Sequence, residues 1–195
     1  MELNSDYWSA RYKEGTTGWD LGGISPPLKA YIDQLDESWK QRKILIPGCG
    51  RAREAEYLFE LGFQEVYLLD FAPQPLDDFL VRNPNFPKGQ LIQTDFFAFE
   101  GQFDLILEQT MFCAISPLDR EKYISKIASL LSENGKFVGL LFNRDFEGGP
   151  PFGGNLEEYL LQFKRHLNII LMEPCHNSIS PRLGSELFFI AGGVG

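Results

Sequence analysis

Short apolar runs recur along this chain, and each stops at a glycine turn or an acidic residue before an amphipathic stretch begins. Lys43–Pro47, with Ile44, Leu45 and Ile46 in succession, runs into Gly48-Cys49-Gly50. Glu65–Leu69 ends in Asp70, Gln90–Thr94 in Asp95, and Phe103–Leu107 in Glu108-Gln109. Continuous apolar runs this short belong to strands buried on both faces. Between them the period changes. Glu54–Leu61 reads as a helix stopped by Gly62. Arg120–Ser132 gathers Tyr123, Ile124, Ile127, Leu130 and Leu131 on one face and closes at Asn134-Gly135. Lys136–Phe142 is a fifth strand, Leu156–His166 a helix, and Asn168–Met172 and Glu186–Ala191 two further strands. Strands alternating with helices predict an α/β fold of Rossmann-like type, with a mainly parallel sheet covered on both faces.

The remaining bulk properties narrow the function classes. A length of 195 residues suits one domain spanning 1–195. With a formal charge of −9 and no basic stripe, the surface repels polyphosphate, so no nucleic-acid partner is expected. The start, Met1 to Asp6, lacks the basic and apolar regions of a secretion signal, and no run approaches the ~20 apolar residues of a membrane span. Cys49, Cys113 and Cys175 are odd in number and outside metal-ligand spacing; with only two histidines, no metal site is expected. Reduced thiols point to the cytoplasm.

Residues 1–35 read differently from the rest. Ser5 can cap a short helix carrying Trp8 and Tyr12 at i and i+4, and Gly15 stops it. A glycine-rich loop around Trp19 follows. Ser25-Pro26 then opens a second helix with Leu28, Ile32 and Leu35 as its apolar stripe. An aromatic arm ahead of the first strand reads as a cover.

In open α/β sheets, ligands bind beyond the carboxyl ends of the strands, where the strand order reverses. There the sequence offers the Gly48-x-Gly50 turn, and Asp70, an acid ~20 residues on that suits two ribose hydroxyls. A dinucleotide fingerprint would need a third glycine where Arg53 stands, which disfavours a nicotinamide-dependent oxidoreductase. Glu54, Asp70 and Glu108 would oppose phosphates, but they tolerate the cationic sulfonium and amine of S-adenosylmethionine. Trp8, Tyr12 and Trp19 add aromatic faces that attract a cation.

Several segments go further. Trp8–Asp20, Pro47–Gly50, Thr94–Phe97, Phe103–Ala114 and Gly148–Phe152 resemble the thiopurine methyltransferase-like family, and within it the thiol and halide methyltransferases. The resemblance implies a class I S-adenosylmethionine-dependent methyltransferase with a seven-stranded sheet whose last strand is antiparallel. It implies that Trp8, Tyr12 and Trp19 close over the cofactor and that Gly48 contacts its amino-acid part. Asp70 would take the ribose, Asp95 and Phe96 the adenine, and Gln109 the methionine portion. Tyr12, Gln109 and Asn143 depart from residues frequent among relatives, which leaves the acceptor open.

The expected reaction is methylation of a small soft nucleophile, a thiol, sulfide or halide ion. Thiopurine-like and selenium or tellurium acceptors are the alternatives. In-line methyl displacement relies on alignment and dehydration, so no catalytic side chain is expected, and His166, His176 and Cys113 are read as bystanders. The acceptor is expected between the arm and the Phe142–Phe152 loop, in a pocket made apolar by Phe112, Phe142 and Phe152. A single chain, a monomer, is expected to suffice.

Overall fold

The computed structural model describes residues 3–193. Two helices, α1 (Ser5–Lys13) and α2 (Pro26–Ile32), precede β1 (Ile44–Pro47). Then come α3 (Arg53–Glu60), β2 (Val66–Asp70), α4 (Pro73–Arg82), β3 (Leu91–Gln93) and β4 (Phe103–Gln109). The chain continues through α5 (Arg120–Leu130), β5 (Leu131–Phe142), α6 (Leu156–Phe163), β6 (Leu167–Pro174) and β7 (Glu186–Gly193). The seven strands form one sheet in the order β3-β2-β1-β4-β5-β7-β6, with β7 antiparallel to both neighbours. This is a Rossmann-like α/β fold. Strand order reverses at β1, which pairs in parallel with β2 on one side and β4 on the other.

Alternating side chains give the sheet two apolar faces. Leu45, Leu69, Ile106 and Phe137 pack under Tyr123, Ile124 and Ile127 of α5 and Tyr159 and Phe163 of α6. Ile44, Ile46, Leu68 and Leu105 pack under Leu28 of α2, Leu58 of α3 and Phe79 of α4. Strands buried on both faces need the unbroken apolar runs the sequence displays.

Three local features differ from the sequence reading. Helix α4 has no counterpart in the sequence reading, which names no element between Asp70 and Gln90. Pro73 occupies the first helical position, where its missing N–H is not needed, and Pro75 still lies in the first turn. Helix α5 ends at Leu130 rather than Ser132. Leu131 pairs with Phe103, and the register then jumps so that Lys136 opposes Leu105, with Asn134 at φ 65° turning the chain between them. Strand pairing with β4 thus overrides the last half-turn of helical periodicity. Helix α1 is capped by Asn4, whose side chain accepts from Tyr7 N–H at 3.0 Å, and not by Ser5. The Ser5 hydroxyl instead donates to the Phe71 carbonyl at 3.1 Å, tying the arm to the end of β2. Among the described residues no helix is long and apolar enough to cross a membrane.

Candidate functional site

The turn after β1 sets the geometry. Gly48 and Gly50 have φ of 55° and 52°, a left-handed region costly for other residues. A Cβ on Gly48 would meet Met111 Cγ at 2.8 Å, so the glycine also lets the turns after β1 and β4 touch. Beside it, Asp70 is 6% exposed at the tip of β2. Its two oxygens accept from Gly50 N–H at 3.2 Å and Ala72 N–H at 3.0 Å. Burial pushes this carboxyl up to about 6, against the pull of those N–H groups.

These strand ends floor a cleft of about 1020 Å³. Seven of the sequence-selected residues line it together: Trp8, Tyr12, Trp19, Gly48, Asp70, Asp95 and Phe96. Asp95 Oδ1 accepts from Phe97 N–H at 2.9 Å, a turn that fixes the buried Phe96 at the cleft wall. The roof is aromatic. Trp19 meets Trp8 and Tyr12 edge-on, with ring centroids 5.5 and 5.7 Å apart.

Gln109 stands apart. It lines a separate cavity of about 10 Å³ with Phe112, Leu141 and Glu186, and both of its amide atoms are buried without a partner. Glu108 likewise turns away from the cleft. Fully buried, it accepts from the Tyr123 hydroxyl and from Phe112 N–H at 2.9 Å, and burial pushes its carboxyl up to about 7. Register explains the direction: Glu108 lies opposite Gly139 of β5, where a Cβ would collide with it. Glu54 is also buried, inside α3, so of the three acids counted against phosphates only Asp70 faces the cleft.

The arm is a cover only in its first part. Leu3 to Trp19 supply its cleft residues, whereas Pro27, Leu28, Tyr31 and Ile32 of α2 are buried in the core. Asp20 anchors the loop between them. Burial alone would raise its carboxyl, but Arg53 at 3.3 Å and the Gly22 N–H outweigh this and hold it below the usual range. Arg51 adds a contact at 3.7 Å. Arg53, where a dinucleotide fingerprint would have glycine, is thus part of this anchor. On the other side the Arg182 guanidinium donates to the Trp19 carbonyl at 3.2 Å and pairs with the buried Glu186 at 3.3 Å.

Phe142, Arg144, Phe146, Pro150 and Pro151 form a further part of the rim. Of the three phenylalanines expected to make the pocket apolar, only Phe142 lines the cleft. Phe112 is core, packed on Tyr123 and Tyr159. Phe152 does not line the cleft, and its N–H bonds the Cys113 carbonyl at 2.7 Å. The fully buried Arg120 donates to the Phe152 and Gly153 carbonyls at 3.1 and 2.9 Å and anchors this rim. Thr110, at φ 66°, holds a conformation unusual for a β-branched residue in the turn between floor and rim. Cys113 touches the cleft but directs its thiol to the Thr110 carbonyl at 3.1 Å, and burial pushes that thiol up to about 12. Neither His166 nor His176 lines the cleft; His166 faces Glu121 at 3.7 Å.

The sequence reading missed the cleft arginines Arg11, Arg144 and Arg182. Arg11 falls inside the aromatic segment Trp8–Asp20, and that local clue was available; nothing local marks the other two.

Comparison with known proteins gives a consistent picture. The family described as thiopurine S-methyltransferase matches residues 3–178. A probable thiol methyltransferase 2 of Arabidopsis thaliana is 28% identical over 164 residues, covering 81% of this chain and 71% of the relative. A probable thiopurine S-methyltransferase of Danio rerio is 26% identical, covering 89% and 84%. Among solved structures, the 1,6-didemethyltoxoflavin-N1-methyltransferase of Burkholderia thailandensis superposes with a TM-score of 0.76 over 99% of this chain and 88% of its own. At 17% identity that match shows a shared fold.

Proposed function

Because the chain belongs to the thiopurine S-methyltransferase family, we propose that it methylates a small soft acceptor: a thiol, sulfide or halide ion. It is an S-adenosylmethionine-dependent methyltransferase. The observation that carries the site reading is one cleft, at the point of strand reversal, that joins Trp8, Tyr12, Trp19, Gly48, Asp70, Asp95 and Phe96.

The residues present fit the cofactor. The volume lies just above the ~300–1,000 Å³ typical of ligand pockets, leaving room for a small acceptor as well. Each Asp70 oxygen is held by one backbone N–H and keeps a lone pair for a ribose hydroxyl. Phe96 and Asp95 would flank the adenine. Trp8, Tyr12 and Trp19 would cover the cationic end, where an aromatic face is worth up to ~2 kcal/mol once water is excluded. Gln109 enters this proposal only from behind, beneath the turn at Thr110.

When bound, S-adenosylmethionine supplies an electrophilic methyl group on a sulfonium. The chain's part is alignment and dehydration, which can carry ~7–11 kcal/mol of a barrier. The rim from Phe142 to Pro151 combines apolar walls with the guanidinium of Arg144. That pairing suits a polarizable anion better than a neutral amine or alcohol. Thiols ionise near pH ~8.5 and halides carry no proton, so no general base is needed. The proposed setting is the cytoplasm, in keeping with three buried, unpaired cysteines.

Incubation with labelled S-adenosylmethionine and a panel of sulfide, small thiols, iodide, bromide and a thiopurine tests the acceptor. Volatile methylated product is expected from the thiols or halides. Turnover of the thiopurine alone, or of nothing in the panel, overturns the acceptor proposal.

A further inference from the structure

Two arginines in this acidic chain have no carboxylate partner among the described residues, and both line the cleft. Arg42, Arg51, Arg53, Arg82, Arg120, Arg165 and Arg182 each pair with an acid. Arg144 and Arg11 do not. Arg144 lies over Phe146 on the acceptor rim, at 4.8 Å from the ring centroid. Arg11 lies on the arm, with its guanidinium carbon 6.0 Å from the Tyr7 ring centroid and 5.8 Å from that of Trp19. Its Nε is buried and has no hydrogen-bond partner.

We infer that Arg11 is a binding residue for the carboxylate of the cofactor's amino-acid part. The inference rests on the cofactor reading above and adds a residue and a charge pairing to it. A half-buried guanidinium between two aromatic rings carries a desolvation cost that an anionic partner offsets. Position selects which anion. Trp19, under Arg11, closes on the glycine turn after β1: its Nε1 lies 3.7 Å, and the Tyr12 hydroxyl 3.2 Å, from the place of a Gly50 Cβ. Arg11 therefore lies over the ring that closes on the turn facing the amino-acid part. A second cation there would repel the sulfonium and amine unless a negative group lay between. The carboxylate is the one such group the cofactor carries.

Calorimetric titration with S-adenosylhomocysteine and with its decarboxylated analogue, which keeps the adenosine, sulfur and amine, separates the possibilities. The wild type is expected to bind the carboxylated ligand about 10- to 100-fold more tightly, as a charge-assisted contact implies. In Arg11→Met that gap is expected to close to within about threefold, by weakening of the carboxylated ligand alone, and Arg11→Lys is expected to restore part of it. Should Arg11→Met fail to fold, the lysine variant still reads out, because its gap must be narrower than wild type. A full gap in Arg11→Met or Arg11→Lys, or a gap closed by Arg144→Met instead, overturns the assignment of Arg11. If the wild type binds neither ligand, the cofactor reading of the cleft falls with it.

Discussion

The floor and the roof of the cleft are built by different means. Floor groups are fixed by main chain, Asp70 by two backbone N–H groups and Gly48 by its left-handed turn, while Glu108 is buried in the core behind them on Phe112 N–H and the Tyr123 hydroxyl. The roof is held by side chains at half-buried positions. Asp20 meets Arg51 and Arg53, Arg182 reaches the Trp19 carbonyl, and three aromatic rings meet edge-on. Backbone contacts in a core resist local opening, whereas a few partly exposed ion pairs do not. On the proposed cofactor reading, the floor would define what binds, and the roof when it enters and leaves.

The largest effect should come from the core behind the floor. Glu108→Ala strips a partner from the Tyr123 hydroxyl and Phe112 N–H and leaves a cavity, for a loss of ~3–4 kcal/mol in urea unfolding. A loss below ~1 kcal/mol would show that this carboxyl is not a structural pin.

Next is the pH dependence of the same group. Its folded value is raised to about 7 from 4.5, so its contribution to stability is complete below pH 4.5 and is lost as pH rises through 7. Asp70 adds a similar fall between 3.8 and 6. Stability of the unliganded protein should therefore decline from about pH 4 to pH 7. Glu108→Gln should flatten the upper part of that decline, by on the order of 2–3 kcal/mol. An unaltered pH profile in the variant would relocate the titration elsewhere.

Asp70→Ala tests the floor as a binding surface and should weaken S-adenosylhomocysteine by ~1–3 kcal/mol. Wild-type affinity should also fall as pH drops through about 6, because a protonated carboxyl accepts fewer hydroxyl donors. Calorimetry across that range checks both, and equal dissociation constants would place the ribose elsewhere.

The smallest effect on stability belongs to the roof. Asp20→Asn should cost less than ~1 kcal/mol, yet speed cofactor release in stopped-flow measurements. Wild-type release should accelerate with added salt, and that of the variant much less. Identical salt slopes would remove the distinction between floor and roof.

What the sequence determined alone were the features that local pattern enforces. Unbroken apolar runs of strand length, ending in Gly48, Asp70 and Asp95, specify a doubly covered sheet and its ligand-bearing edge, because burial on both faces and tight turns leave a direct mark on residue type. The aromatic segment from Trp8 to Trp19 was legible for the same reason. Only the tertiary structure decided which way the strand-end side chains face. Glu108 and Gln109 end a strand as Asp70 does, but register against Gly139 and the packing of Tyr123 turn Glu108 into the core and leave Gln109 behind the floor. The cleft arginines come from elements as far apart as α1 and the approach to β7. Their convergence depends on long-range contacts, which no window of neighbouring residues encodes.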